Sequence, residues 1–279
     1  MGTIKDAVFL GLRDSYNKKL GYLAKMAQEE PWTFKSIAQE DPYRILRNYF
    51  QFTYDRLHEE KKIMISDDQN FSCINTGLLT KYDRDIIAIF SRNRDENRLP
   101  WYLVGFYHDG EKYFKERFYT VPEMADYFTD ISEVIYDKKL KIDLNVEHII
   151  DDNIDRFQQA GYGESKELIY ALMTDAIEKI KKKLSRNFKL AAPFYYHNTE
   201  TDERKIQLLV PLYFPGSPVR LALVLDKVKA SQRDSYYMAI TVLPIEWAYM
   251  NARLIVKPDP EWTKIIEEIG VGGENIELA

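Results

Sequence analysis

Apolar residues recur along the chain with two spacings, and the switch from one to the other predicts its elements. Ile4, Val8 and Leu12, then Leu20, Leu23 and Ala27, keep helical spacing over residues 3–30 until Pro31-Trp32 interrupts. Asp41 and Pro42 suit the cap and first position of a second helix, with Ile45, Tyr49, Phe52 and Leu57 as its apolar face. The aromatic run 49–54 would also suit a strand, but the upstream cap favours helix. The spacing then changes. Residues 62–65 and 71–74 read as a hairpin around the turn 67–70, and Ile86–Phe90 reads as a strand buried on both faces. Residues 92–98 form a charged loop. Residues 101–107 and 113–119, flanking His108-Asp109-Gly110, read as a second hairpin.

Helical patterning returns weakly over 122–136 and more clearly over 146–159. The strongest helix covers 166–186, capped by Ser165. Leu168, Leu172, Ala176, Ile180 and Leu184 make one stripe, with Ile169, Met173 and Ile177 beside it. Strand composition fills 189–196, 206–214, 219–228 and 236–243. Pro244 opens a helix over 245–254, 261–269 closes the fold, and Gly270-Val-Gly-Gly273 begins a tail. Strand runs separated by the helices of 122–186 predict an α+β fold with a mixed, mainly antiparallel sheet or sheets and flanking helices. No long repeat and no low-complexity linker is visible. A single domain over 1–279 is therefore expected, with N-terminal helices over 3–60 and a core over 62–269.

Charge and composition narrow the chemistry. The formal net charge of -5 argues against broad positive potential but leaves room for a local basic groove. The 20 Tyr supply rings that can pack a core or stack on a base. A lone Cys73 allows no intramolecular disulfide and reads as a packed thiol. The four His lack metal-ligand spacing, so no metal is expected, and no motif points to a cofactor. No apolar run approaches the ~18 residues of a membrane span. The N-terminus makes a poor secretory signal, so a cytoplasmic protein without membrane contact is expected.

Familiar phosphate loops and the GxSxG nucleophile elbow are missing. Other groups remain. Asn75, Thr76 and Gly77 end a strand with donors and a backbone able to take positive φ, which suits a structural turn or an anion site. His148 lies near Asp151 and Asp152 at helical spacing, and Asp152 near Arg156. Local ion pairs on an exposed helix fit this better than an oriented base. Tyr195 and Tyr196 alternate near a strand end, leaving one ring for stacking. Tyr249, Asn251 and Arg253 combine aromatic, amide and guanidinium groups among apolar residues, with Glu246 a further candidate base. Lys179, Lys181, Lys182, Lys183 and Arg186 suit a solvated helix end better than a phosphate track.

Several of these stretches resemble one family. Pro31-Trp32, Ile45-Leu-Arg-Asn-Tyr49, Thr53-Tyr54, Arg56-Leu57, Glu60–Ile63 and Ile74-Asn-Thr-Gly-Leu78 are followed by Gln207–Leu212, Leu221–Leu225, Thr241–Leu243, Ala248-Tyr249, Asn251–Leu254 and Trp262. In this order they resemble the bacterial domain of unknown function often found fused to OST-HTH (LOTUS) modules, over residues 25–265. Ile74, where an aromatic is expected, and Trp247, where Met is expected, depart from the pattern without removing a polar group. The resemblance implies RNA biology, an OST-HTH-containing partner, and Asn75, Thr76, Gly77, Tyr249, Asn251 and Arg253 as a shared polar cleft. The leading expectation is an RNA- or nucleotide-binding protein in RNA metabolism. A phosphoester-acting enzyme using His148 or Glu246, and a protein-interaction scaffold, are the alternatives.

Overall fold

The computed structural model describes residues 3–95, 97–198, 201, 203–229 and 235–268, so the expected tail at 270–273 lies outside the described residues. The chain divides into two compact units. Residues 1–33 and 38–126 form the first; residues 34–37 and 127–279 form the second.

In the first unit α1 (Ile4–Ala7) runs into β1 (Val8–Phe9), then α2 (Arg13–Met26), α3 (Arg44–Glu59), β2 (Met64–Ile65), β3 (Phe71–Leu79), β4 (Asp85–Arg92), β5 (Trp101–His108) and α4 (Lys112–Lys115). The strand order is β1-β5-β4-β3-β2. β1 is parallel to β5, with Val8 opposite Trp101, and the remaining pairs are antiparallel. Ile86–Phe90 are fully buried, as expected of a strand covered on both faces. On one face Phe50 meets Phe106 and Tyr54 meets Phe90, edge to face. On the other, Cys73, Ile87 and Ile89 pack with Phe114 and Phe118.

The second unit contains α5 (Ile131–Val134), β6 (Ile142–Asp143), α6 (Val146–Gln159), α7 (Lys166–Leu184), β7 (Ala192–Asn198), β8 (Glu203–Pro211), β9 (Leu221–Val228), β10 (Tyr236–Pro244), α8 (Ile245–Ile255) and α9 (Pro260–Glu268). Its strand order is β6-β10-β9-β8-β7. β6 is parallel to β10, with Ile142 opposite Tyr237. The two sheets therefore share one plan: a short edge strand, two long helices, then an antiparallel meander whose last strand returns beside the first. Even the irregularity repeats. Val104 is an extra residue between the pairs Phe90–Leu103 and Ile89–Gly105, and Ile240 is one between Ala239–Leu225 and Thr241–Val224. Each bulge lies three residues past the one facing the short parallel strand, Trp101 or Tyr237.

Beside each bulge, a cation from the helix that follows the short strand bonds to the last strand. Lys19 of α2 donates to the Leu103 carbonyl. Arg156 of α6 donates to Val242 O at 2.5 Å, Thr241 Oγ1 at 3.1 Å and Asn153 Oδ1 at 2.7 Å. Bulges leave backbone groups without ladder partners, and buried ones need replacements. Asn153 breaks the helical geometry of α6, with φ -131°, and its own side chain bonds back to Ile149 O.

The α+β class and nearly all the strands agree with the sequence pattern, and five expectations need correction. The helix expected over 3–30 is interrupted by β1 and by Gly11 at φ +112°. Asp41 does not cap α3; its carboxylate pairs with Arg47 at 2.8 Å, and the helix starts at Arg44. Residues 112–115 are helical, not strand, because Phe114 and Phe118 reach the same cluster at i,i+4 spacing. Only Ile131–Val134 is helical within 122–136. On α7 the buried face is Ile169, Met173, Ala176, Ile177, Ile180 and Leu184, while Leu168 is exposed. Among the described residues, no helix is long and apolar enough to cross a membrane.

Gly77 closes a second irregularity, where β3 loses register with β4 between Asn75 and Leu79. It sits at φ +72°, and a Cβ there would lie 2.7 Å from the Tyr49 hydroxyl. Gly77→Ala should therefore destabilise by about 1 kcal/mol or more, read as a lower Tm. The penalty should shrink in a Tyr49→Phe background, which removes the opposing oxygen. Equal penalties in both backgrounds would overturn the steric account.

Candidate functional site

The residues expected to bind ligand fall in both units. Asn75, Thr76 and Gly77 lie in the first; Tyr195, Tyr249, Asn251 and Arg253 lie in the second.

Asn75 and Thr76 are buried, and their polar atoms are used within the unit. The Asn75 amide donates to Asp85 Oδ1 (3.1 Å) and Pro122 O (3.2 Å), while its Oδ1 accepts the Gly77 N–H at 2.9 Å. Thr76 Oγ1 donates to Ile86 O at 2.7 Å, and Thr76 O accepts the Tyr49 hydroxyl at 2.8 Å. The tripeptide is thus a self-satisfied bulge. Strand pairing takes the groups that looked available for an anion.

In the second unit Tyr249 is 1% exposed, so its ring belongs to the core and offers no stacking face to solvent. Asn251 bonds back to Trp247 O at 2.9 Å, the residue one helical turn earlier. Arg253 is partly buried on the same helix. Tyr195 is half-buried, with Tyr127 edge-on at 5.4 Å between centroids.

The candidate bases differ. His148 is exposed and 3.3 Å from Asp152, a surface pair of modest energy. Asp151 is taken by Lys166 at 2.6 Å. Arg156, expected to pair with Asp152, turns inward to the β10 bulge instead. Glu246 stands in the first turn of α8. Burial pushes its carboxyl above the ordinary range; its own backbone N–H and nearby Arg220 oppose this only in part. The basic end of α7 is largely paired: Lys179 with Asp175, Lys181 with Glu178 and Lys183 with Glu261. Burial also pushes the Cys73 thiol up, which suits an inert packed group. Among the described residues no group of three His, Cys, Asp or Glu could hold a metal ion.

Two cavities in the first unit bring together residues that the motif reading passed over. One, of about 390 Å³, lies beside the outer edge of β5 beyond its short pairing with β1. Lys18, Lys19 and Tyr22 of α2 form one wall, and residues 104–107 form the other. Tyr22 is 53% exposed, and Lys18, Tyr22 and Lys25 share a face at i, i+4 and i+7. Tyr107 is fixed by parallel stacking on Tyr113 (4.6 Å, 14°), and the Arg117 guanidinium lies 3.6 Å from the Tyr113 ring centre. Gly105 keeps the space open; a Cβ there would touch the Tyr107 ring at 3.6 Å. The only sequence signal was Lys18-Lys19 and Tyr22 on the polar side of an amphipathic helix.

The other cavity, about 580 Å³, lies at the end of the sheet that holds the 66–71 turn. Ile65, Asp67, Gln69, Arg92 and Trp101 line it. The turn is held by Asp68, which accepts from Ser66 Oγ (2.6 Å) and from the Asn70 backbone (3.0 Å) and side chain (2.8 Å). Those bonds lower the Asp68 carboxyl to about 2.

Glu246 gives a test. A carboxyl whose folded pKa is raised loses stability as pH climbs from its unfolded value through the folded one. Glu246→Gln carries no charge to bury. It should raise Tm at pH 7, and the gain should vanish below about pH 4, where the wild-type carboxyl is protonated in both states. An equal or lower Tm at pH 7 would contradict a desolvated carboxylate that its neighbours compensate only in part.

No curated protein and no solved structure matches this chain. The family model described as a domain of unknown function, DUF3825, matches residues 23–262, and the chain belongs to that family.

Proposed function

We propose that this is an RNA- or nucleotide-binding protein acting in RNA metabolism, and that the groove between α2 and β5 holds the ligand. The observation that carries this reading is the contrast between two places built on one plan. In the second unit the space beside the last strand is closed by Arg156, Asn153 and Thr241, bonded to one another. In the first unit Gly105 stands where the other sheet has Thr241, by the common register, and the space is open and lined by two tyrosines and two lysines. Stacking on aromatic rings is worth about 1–3 kcal/mol per base and tolerates any sequence. Lys18 and Lys25 supply phosphate contacts next to the exposed Tyr22 ring. The resemblance to a domain fused to OST-HTH modules supports RNA over other anions and keeps an OST-HTH-containing partner within the proposal.

The enzyme alternative has one observation in its favour, the partly buried Glu246 near Arg220, whose carboxyl burial pushes above the ordinary range. A general acid needs that combination.

Fluorescence anisotropy with a labelled single-stranded RNA tests the reading. Lys18→Gln with Tyr22→Ala should weaken binding about ten-fold or more. Two phosphate contacts predict a salt slope of about -1.4 in log–log form, reduced by about 0.7 in Lys18→Gln alone. Replacing Lys181, Lys182 and Lys183 with Gln should leave affinity unchanged. Equal binding by wild type and the double variant at matched stability, or a strong loss in the triple-Gln protein, would overturn the site.

A further inference from the structure

We infer that the cavity beside Trp101 is a second site that takes a guanine nucleotide. The inference adds a ligand class to the nucleotide-binding reading and rests on it for treating the ligand as a nucleotide.

The shared plan again supplies the argument. Trp101 and Tyr237 hold equivalent positions, each opposite the first residue of the short parallel strand. In the second unit Tyr237 is fully buried because a ring of the same chain covers it. Tyr136 stacks on it at 5.0 Å and 15°, and the Tyr237 hydroxyl accepts the Asp137 N–H at 2.8 Å. Tyr136 is carried by residues 135–141, which join α5 to β6. The first unit has no such segment, since α1 ends at Ala7 and β1 begins at Val8. Trp101 is half-buried, and a cavity stands beside it. An aromatic wall stands in both sheets, and among the described residues only one of them is covered by a ring of the chain. A planar ligand fits the other.

The groups around Trp101 define that ligand. Arg92 is paired with Trp101 across β4 and β5 and is exposed. Among the described residues its guanidinium has no hydrogen-bond or ion-pair partner, and neither has the Asp67 carboxylate. Gln69 lines the same cavity, held at φ +57° in the turn. A guanidinium fork suits a phosphate. A carboxylate repels a ligand that is anionic throughout, but it accepts hydrogen bonds from a base edge rich in donors. Guanine presents N–H groups on that edge, where adenine offers an acceptor and a single amino group. Base on indole, phosphate on Arg92 and N–H edge on Asp67 account for the three kinds of group together.

The test follows the Trp101 indole N–H resonance, assigned with Trp101→Phe, in the full chain. GMP should shift it saturably. Guanosine, AMP and inorganic phosphate should each bind about ten-fold more weakly or not at all. Arg92→Gln should erase the advantage of GMP over guanosine, and Asp67→Asn the advantage of GMP over AMP. Both side chains are exposed, so folding is not at stake, and the remaining resonances verify it. No response to GMP, or unchanged preferences in both variants, would overturn the inference. RNA binding that depends on Lys18 and Tyr22 without any GMP response would sink this site and leave the groove standing. A GMP response without RNA binding would do the reverse.

Discussion

Each sheet depends on a single grip: a cationic side chain from the helix after the first strand bonds to the last strand beside its bulge. The bulge comes just after the point where the last strand meets the short parallel strand, so it ends that pairing and turns the strand's outer edge toward the helix. The donor there is charged and the acceptor is a backbone carbonyl at the junction of helix and sheet, a bond worth about 1.5–3 kcal/mol net. With it, the helix is fixed in register against the strand, and everything built between them follows. The first unit uses a flexible ammonium, Lys19, whose burial lowers its pKa. The second uses a planar guanidinium tied into Asn153 and Thr241. One leaves a groove and the other a plug.

Much of the fold was legible because it rests on periodicity. α6 and α7, the four strands of the second meander and the 64–74 hairpin follow from apolar spacing and from caps such as Ser165, whose hydroxyl accepts the Leu168 N–H. The shared plan was not legible. A bulge adds one residue to a strand without changing its composition, and the two halves meet the same demand with different side chains, Lys19 and Arg156, Gly105 and Thr241. Two halves can share a topology while their sequences show no repeat.

Several of the expected polar residues bond within the fold itself. Asn75, Thr76 and Asn251 are polar types in apolar surroundings, which is also how a chain satisfies its own irregular backbone. Sequence cannot separate a donor aimed at solvent from one aimed at a carbonyl ten residues away. Tyr249 shows the same ambiguity for rings. The residues that line open space, Tyr22 and Trp101, stood in ordinary amphipathic patterns and carried no motif. Charge behaved likewise: the conspicuous Lys run is largely paired, while Lys18 and Arg92 line the cavities.

The single thiol has an experimental use. Cys73 sits fully buried on β3 of the first sheet, paired with Ile89 of β4. A reagent in solution can meet it only when that sheet opens, and the second unit contributes no cysteine to the signal. The rate at which the native protein is alkylated is thus a clock for one half of the molecule, supplied by the chain itself and read without any engineered label.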